Sequence, residues 1–148
     1  MIRKTAFLAL IVSTVLSCKN SNESINKTNT MTSNKKVIET YIEGFNNSDH
    51  AKILSCLTDS VVWEMHGLFR KVGKQEFDKE IENEAFVGRP TIKIIRLVEE
   101  GNIVIAEGSV KSKMKNGGLL DAMFCDVFHF ENGKIKQLTG YLMQNNQP

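Results

Sequence analysis

The sequence predicts an α+β fold, in which three N-terminal helices close a curved, mainly antiparallel sheet into a cone. Three observations predict it. Apolar residues follow a helical period in the first half of the chain, they alternate as in strands in the second half, and short Gly/Asn segments join those strands. With 148 residues, 41% hydrophobic and 24% charged, the chain suits one globular domain plus an extra segment.

The helical elements come first. From Lys35, apolar side chains recur on one helix face at Ile38, Tyr41, Ile42 and Phe45. Asp49 can cap a second short helix, whose inward residues are Ile53, Leu54 and Leu57. The segment Ser60–Gly67 is predicted to be a strand, and Lys74–Phe86 an amphipathic helix with Phe77, Ile81 and Ala85 in line.

The remainder of the chain reads as a meander of four strands. The joins EEGN, KNGG and ENG supply the Gly and Asn that tight hairpins need for positive φ. The predicted strands are Thr91–Glu99, Asn102–Met114, Leu119–Phe130 and Lys134–Leu142.

The first 34 residues have the composition of a signal and a tether. A basic start, Arg3 and Lys4, precedes an apolar run from Ala6 to Leu16, which is too short to span a bilayer comfortably. The ending VLSC resembles the bacterial lipobox, which implies that Cys18 is lipidated and becomes the mature N-terminus; an ordinary cleavage site near Cys18 is the alternative. Residues 18–34 are then a flexible polar tether, and residues 35–148 the folded domain. The expected location is the bacterial cell envelope, as a periplasmic or outer-membrane lipoprotein.

Charge and ligand spacing exclude several classes of function. Without residues 1–17 the chain carries 17 basic and 17 acidic residues, so a surface that follows nucleic-acid phosphates is not expected. The three histidines lie far apart with no metal-ligand spacing, and no metal or other cofactor is predicted. The sequence is compatible both with a disulfide between Cys56 and Cys125 and with two free core cysteines.

One carboxylate interrupts the apolar strand Leu119–Phe130. Because strand side chains alternate between faces, Asp126 shares a face with Phe124 and Phe128. The Phe-rich face is the better candidate for the interior, and burial there predicts a raised pKa for Asp126. A reversed register, or a place where the sheet reaches solvent, is the alternative.

These residues resemble a known family. The segment VIETYIEGFNNSDHAKILSCLTDSVVWEMHG, a helix, and FCDVFHFENGKIKQLTGYL are similar to the cone fold of nuclear transport factor 2, ketosteroid isomerase and the SnoaL-like cyclases. The similarity covers about residues 35–143 and implies the fold more specifically than an activity, because this fold carries enzymes and binding modules alike. It also implies that the exposed sheet face can form a homodimer.

Within that family the local match is to ketosteroid isomerase, and the match implies three catalytic residues. Tyr41 and a protonated Asp126 correspond to the oxyanion hole, and Glu64 to the carboxylate that moves the proton. Tyr41 as a satisfied core residue and Glu64 as a solvated strand residue are the alternatives. Residues predicted to line the pocket are Phe45, Val62, His66, Phe124 and Phe128.

Two functions follow from the resemblance. The first is an envelope-anchored SnoaL-like domain that binds a small apolar molecule or a partner in its pocket without catalysis. The second is a cofactor-free enzyme of the isomerase or cyclase kind, which moves a proton next to a carbonyl group. The two differ in whether Tyr41, Glu64 and Asp126 converge on one cavity.

Overall fold

A computed structural model describes residues 32–145. The predicted signal, Cys18 and most of the predicted tether lie outside these residues. No helix among the described residues is long and apolar enough to cross a membrane. The elements in chain order are α1 Ser33–Asn47, α2 His50–Ser55, β1 Leu57–Met65, β2 Phe69–Val72, α3 Lys74–Ile81, β3 Phe86–Glu100, β4 Ile103–Met114, β5 Leu119–Glu131 and β6 Lys134–Gln144.

The strands form one six-stranded sheet in the order β2-β1-β6-β5-β4-β3. Only β1 and β6 pair in parallel, and the other neighbours are antiparallel. The predicted α+β class is therefore confirmed. The arrangement of three helices before the sheet is wrong, because α3 follows the hairpin of β1 and β2, and the sheet is open with β2 and β3 at its edges. Strand β2 has no counterpart among the predicted strands, since four residues are too few to show a clear alternation.

The first helix begins earlier than predicted. Thr32 is its N-cap and accepts a hydrogen bond from the Lys35 amide at 3.4 Å. Glu99 on β3 accepts hydrogen bonds from the Thr32 hydroxyl and from Asn34 Nδ2, the latter at 3.1 Å. Residues 32–34 therefore belong to the domain rather than to the predicted tether.

The two shorter helices end before their predicted residues. Asp49 caps α2 as predicted, with Oδ1 accepting from the Lys52 amide at 2.9 Å. Leu57, expected on that helix, is the first residue of β1 and is fully buried. The third helix ends at Ile81 rather than Phe86, because the Asn83 side chain accepts a hydrogen bond from the Ala85 amide at 2.9 Å and forms a turn.

The hydrophobic core lies on the helix side of the sheet. The even-numbered apolar residues of β5 from Ala122 to Phe130 are buried, which confirms the predicted parity of that strand. Phe124, Phe128 and Phe130 belong to one core cluster with residues of α1 and α3, including Ile38, Tyr41 and Phe77. Cys56 is buried and Cys125 is exposed, and both are free thiols.

Bulges and one side chain shape the space under α1. The pairing of β3 with β4 shifts register between Val87 and Thr91 and again between Ile94 and Arg96, and such bulges bend a strand. Asn46, near the end of α1, holds this bent strand with two bonds: its Nδ2 donates to the Ile92 carbonyl at 3.0 Å, and its Oδ1 accepts from the Ile92 amide at 2.7 Å. The end of α1 is thereby fixed beside β3.

Candidate functional site

A cavity of about 1090 Å³ lies between the helices and the inner face of the sheet. Its volume is slightly above the usual range of about 300–1,000 Å³ for small-molecule sites, and its walls are mainly apolar and aromatic. The aromatic residues that line it are Tyr41, Phe45, Trp63, Phe69, Phe86, Phe124 and Tyr141.

Asp126 is an acid on the wall of this cavity. It lies in β5 opposite Ala106 on β4 and Gly140 on β6. The missing side chain at position 140 gives the carboxyl group room, because a Cβ there would stand 3.1 Å from Asp126 Oδ1 and 2.4 Å from Met65 Sδ. Burial raises the pKa of Asp126 from 3.8 to about 7. A large share of the molecules therefore carries a protonated Asp126 at neutral pH.

Tyr41 approaches the same cavity from α1. Its ring packs edge-on against Phe45 at 5.0 Å and against Phe128 at 5.6 Å. Burial, and next the nearby charge of Asp126, raise the pKa of Tyr41 well above its usual value, so the phenol stays protonated. The side-chain hydrogen bonds within residues 32–145 involve neither this hydroxyl nor the Asp126 carboxyl group. Both groups can therefore bond to a molecule in the cavity.

Glu64 lies on the opposite face of the sheet. Its neighbours Trp63 and Met65 line the cavity, and strand alternation directs Glu64 away from it. The Glu64 carboxylate is 31% exposed, and its Oε1 lies 3.7 Å from His66 Nδ1. Of the three residues whose convergence would distinguish an enzyme from a binding module, Tyr41 and Asp126 line one cavity and Glu64 does not.

The inward face predicted for β1, on which Val62 and His66 are expected to line the pocket, is wrong for a physical reason. The predicted inward residues Val62, Glu64 and His66 do not line the cavity. The Trp63 ring stacks on Phe77 at 4.5 Å and meets Phe69 edge-on at 5.1 Å. Because burial of one indole outweighs burial of a valine, Trp63 sets which face of β1 is inside.

The other predicted lining residues divide into two groups. Phe45 and Phe124 line the cavity. Phe128 is fully buried in the core and supports Tyr41 from behind. Trp63 and Met65 line the cavity but are not among the predicted lining residues, although the bulk of Trp63 is a usable sign of the inward face. Among residues 32–145, no three His, Cys, Asp or Glu side chains are placed to hold a metal ion.

The outer face of the sheet carries exposed apolar side chains. Val98, Ile105, Tyr141 and Met143 are 38% to 71% exposed on strands β3, β4 and β6, and Tyr141 also borders the inner cavity. With Met123 and Cys125 they line a shallow groove of about 390 Å³. This outer face includes neither Asp126 nor Tyr41.

Comparison with known proteins identifies the family. A family model described as a SnoaL-like domain matches residues 38–138. The chain therefore belongs to the SnoaL-like domain family. No curated protein sequence matches it.

Solved structures share the fold at low identity. An LEH-like epoxide hydrolase from Mycobacterium tuberculosis is 20% identical with a TM-score of 0.67, covering 75% of this chain and 83% of that one. TerC, co-crystallised with polyporic acid, is 18% identical with a TM-score of 0.66, covering 77% and 92%. A putative ketosteroid isomerase from Kribbella flavida is 14% identical with a TM-score of 0.62, covering 78% and 82%. These similarities establish the nuclear transport factor 2-like fold alone.

Proposed function

We propose that this domain binds a small apolar molecule in its cavity and does not catalyse a reaction. The observation that carries the proposal is the pair of unbonded polar groups, Tyr41 and Asp126, on the wall of an otherwise apolar cavity. A ligand oxygen can accept hydrogen bonds from the phenol and from the protonated carboxyl group, while the apolar body of the ligand fills the remaining volume. TerC, which shares the fold, was crystallised with polyporic acid.

The location of the carboxylates favours binding over catalysis. Removing a proton next to a carbonyl requires a base beside the carbon as well as donors at the oxygen. Glu64, the expected base, lies on the other face of β1. The other acids that line the cavity, Glu80, Glu82 and Glu84, come from the end of α3 and the turn after it.

A matched ligand pair tests the proposed site. We expect 2-naphthol to bind more tightly than naphthalene by about five- to tenfold, because its hydroxyl gains a hydrogen bond inside the cavity. Tyr41→Phe and Asp126→Leu should each reduce that preference, whereas Glu64→Gln should leave it unchanged. Isothermal titration calorimetry measures the affinities of all four proteins for the two ligands. Equal binding of the two ligands by the parent protein contradicts the proposal.

One observation favours the alternative, an enzyme that transfers protons. A carboxyl group with a pKa of about 7 suits general acid or base catalysis at neutral pH, so Asp126 could itself move the proton. Deuterium exchange next to the carbonyl of 2-tetralone, followed by NMR, separates the two functions. We expect no exchange above the buffer rate. Exchange that disappears in Asp126→Asn assigns the domain to the enzymes.

We also propose that the domain is anchored to the cell envelope through lipid on Cys18. The support is the basic, apolar and small-residue pattern that ends at this cysteine. Several acyl chains give a firm anchor where one gives marginal binding, so Cys18→Ser should move the protein from the membrane fraction to the soluble fraction. Immunoblotting of the two fractions measures this. An unchanged membrane share for Cys18→Ser refutes the anchor.

We further propose that the outer sheet face joins two copies of the chain. The support is the group of exposed apolar side chains on strands β3, β4 and β6 of this face, namely Val98, Ile105, Tyr141 and Met143. We expect a dimer by light scattering and a monomer for Ile105→Glu. Val72→Glu, on the distant edge strand β2, is the control. A monomeric parent protein excludes this interface.

A further inference from the structure

The cavity carries polar groups at both ends of an apolar channel. At the inner end Asp126 lies opposite Ala106 on β4, and toward the other end Ser112 of β4 lies opposite Leu120. The six residue-to-residue steps from Ala106 to Ser112 correspond to ~20 Å of strand. Because all of these positions except Ala106 belong to one cavity, its length exceeds that of a single ring system.

The wall between the two ends is apolar. Val110 and Leu120 extend it along β4 and β5, and Ile92 closes it from β3. Gly108 lets the Phe124 ring lie flat against β4, since a Cβ there would stand 2.3 Å from Phe124 Cζ. This middle section matches a narrow hydrocarbon body.

The outer end has a basic side. Arg89 lies in the bulge of β3, and Lys115 follows β4, where its amide donates to the Ala85 carbonyl at 2.9 Å. Both residues are exposed and line the cavity. Neither belongs to an ion pair within residues 32–145. Two cations are thus available at the β3 and β4 side of the rim.

The opposite side of the rim is acidic, and part of that charge is already neutralised. Glu80 Oε1 forms an ion pair with Lys71 Nζ at 2.7 Å, whereas Glu82 has no Lys or Arg partner among residues 32–145. Glu84 is the third carboxylate of the rim. An anion entering the site is therefore directed away from α3 and toward Arg89 and Lys115.

The inner end disfavours an anion. The cations that line the cavity, Arg89 and Lys115, are at the rim, and the inner end holds the Asp126 carboxyl group and the Tyr41 phenol. A negative charge placed beside them would be desolvated and would have no cation to pair with. A ligand with one charged end must therefore enter with its uncharged end first.

We propose that the ligand is an elongated anionic amphiphile: its carboxylate meets Arg89 and Lys115, its chain fills the channel, and a hydroxyl or oxo group at its far end meets Tyr41 and Asp126. This assignment rests on the proposed binding function and specifies the class of ligand. An ω-hydroxy fatty acid has the required chemistry at both ends.

Three long-chain probes test the two ends separately. They are ω-hydroxypalmitate, palmitate and the uncharged 1-hexadecanol, each used below its micelle concentration. The chain holds a single tryptophan, Trp63, which lines the cavity, so its fluorescence reports binding. We expect ω-hydroxypalmitate to bind about five- to tenfold more tightly than palmitate.

Variants at each end should affect different probes. The double change Arg89→Gln and Lys115→Gln should lower the affinity for ω-hydroxypalmitate and for palmitate by about three- to tenfold. The affinity for hexadecanol should change little. Lys113→Gln, two residues from Lys115 and outside the cavity lining, is the matched control. Asp126→Leu should reduce the affinity for ω-hydroxypalmitate to the affinity for palmitate.

The outcomes separate this inference from the function on which it rests. The binding function stands if 2-naphthol is preferred over naphthalene. The amphiphile assignment is nevertheless overturned if the two carboxylates, ω-hydroxypalmitate and palmitate, bind no more tightly than hexadecanol. It is also overturned if the rim variants do not change the affinity for these carboxylates. If neither 2-naphthol nor any long chain binds, both are overturned.

Discussion

Replacing Asp126 with Asn is expected to stabilise the protein at neutral pH and to remove a pH dependence of its unfolding free energy. The native state keeps the Asp126 proton up to a pKa of about 7, whereas the unfolded chain releases it near 3.8. The stability contribution of this group therefore falls as pH rises from 3.8 to about 7 and is constant above that. At about 1.36 kcal/mol per pKa unit, the loss is on the order of 4 kcal/mol.

Denaturant unfolding of the parent protein and Asp126→Asn from pH 4 to pH 8 measures this difference. The two proteins should have similar unfolding free energies at pH 4. The amount by which the unfolding free energy of the variant exceeds that of the parent should grow with pH. Asp121→Asn, on the same strand, is a control of opposite sign: the ion pair with Lys111 lowers the pKa of Asp121, so its removal should not stabilise the protein at neutral pH. A pH-independent difference between parent and Asp126→Asn would show that this carboxyl group ionises freely in the fold.

Replacing Phe77 with Ala is expected to lower the unfolding free energy by about 3–5 kcal/mol, the usual cost of removing a buried aromatic ring. Phe77 is fully buried and holds α3 against both the sheet and α1. Its ring stacks on Trp63 at 4.5 Å and lies 6.3 Å from the Tyr41 ring. The same change should therefore disturb the cavity wall, and the Trp63 fluorescence of the folded variant should shift toward that of a more exposed indole.

The half-buried ring of Phe69 offers the matched control. It also contacts Trp63, at 5.1 Å, but lies on the short edge strand β2. Because Phe69 buries less apolar surface on folding, Phe69→Ala should lower the unfolding free energy clearly less than Phe77→Ala. Equal losses for the two variants would mean that α3 does not depend on the Phe77 contact.

The sequence by itself determined the features that depend on local pattern. Strand alternation assigned Asp126 and Phe124 to the inner face of β5, and the capping side chain of Asp49 located the start of α2. These inferences succeeded because each depends on residues close together in the chain. The expectation of a raised Asp126 pKa followed from the same parity, since an acid between phenylalanines on a buried face must lose solvent.

Only the tertiary structure decided the features that depend on distant contacts. Both faces of β1 are chemically mixed, so the stacking of Trp63 on Phe77, which is a contact between β1 and α3, turned Glu64 away from the cavity. The rim cations Arg89 and Lys115 line the same cavity because β3 pairs with β4 and Lys115 at the end of β4 bonds to Ala85 before β3. Alternation along one strand fixes which residues share a face, but which face becomes the interior is set by the packing of large side chains from other elements.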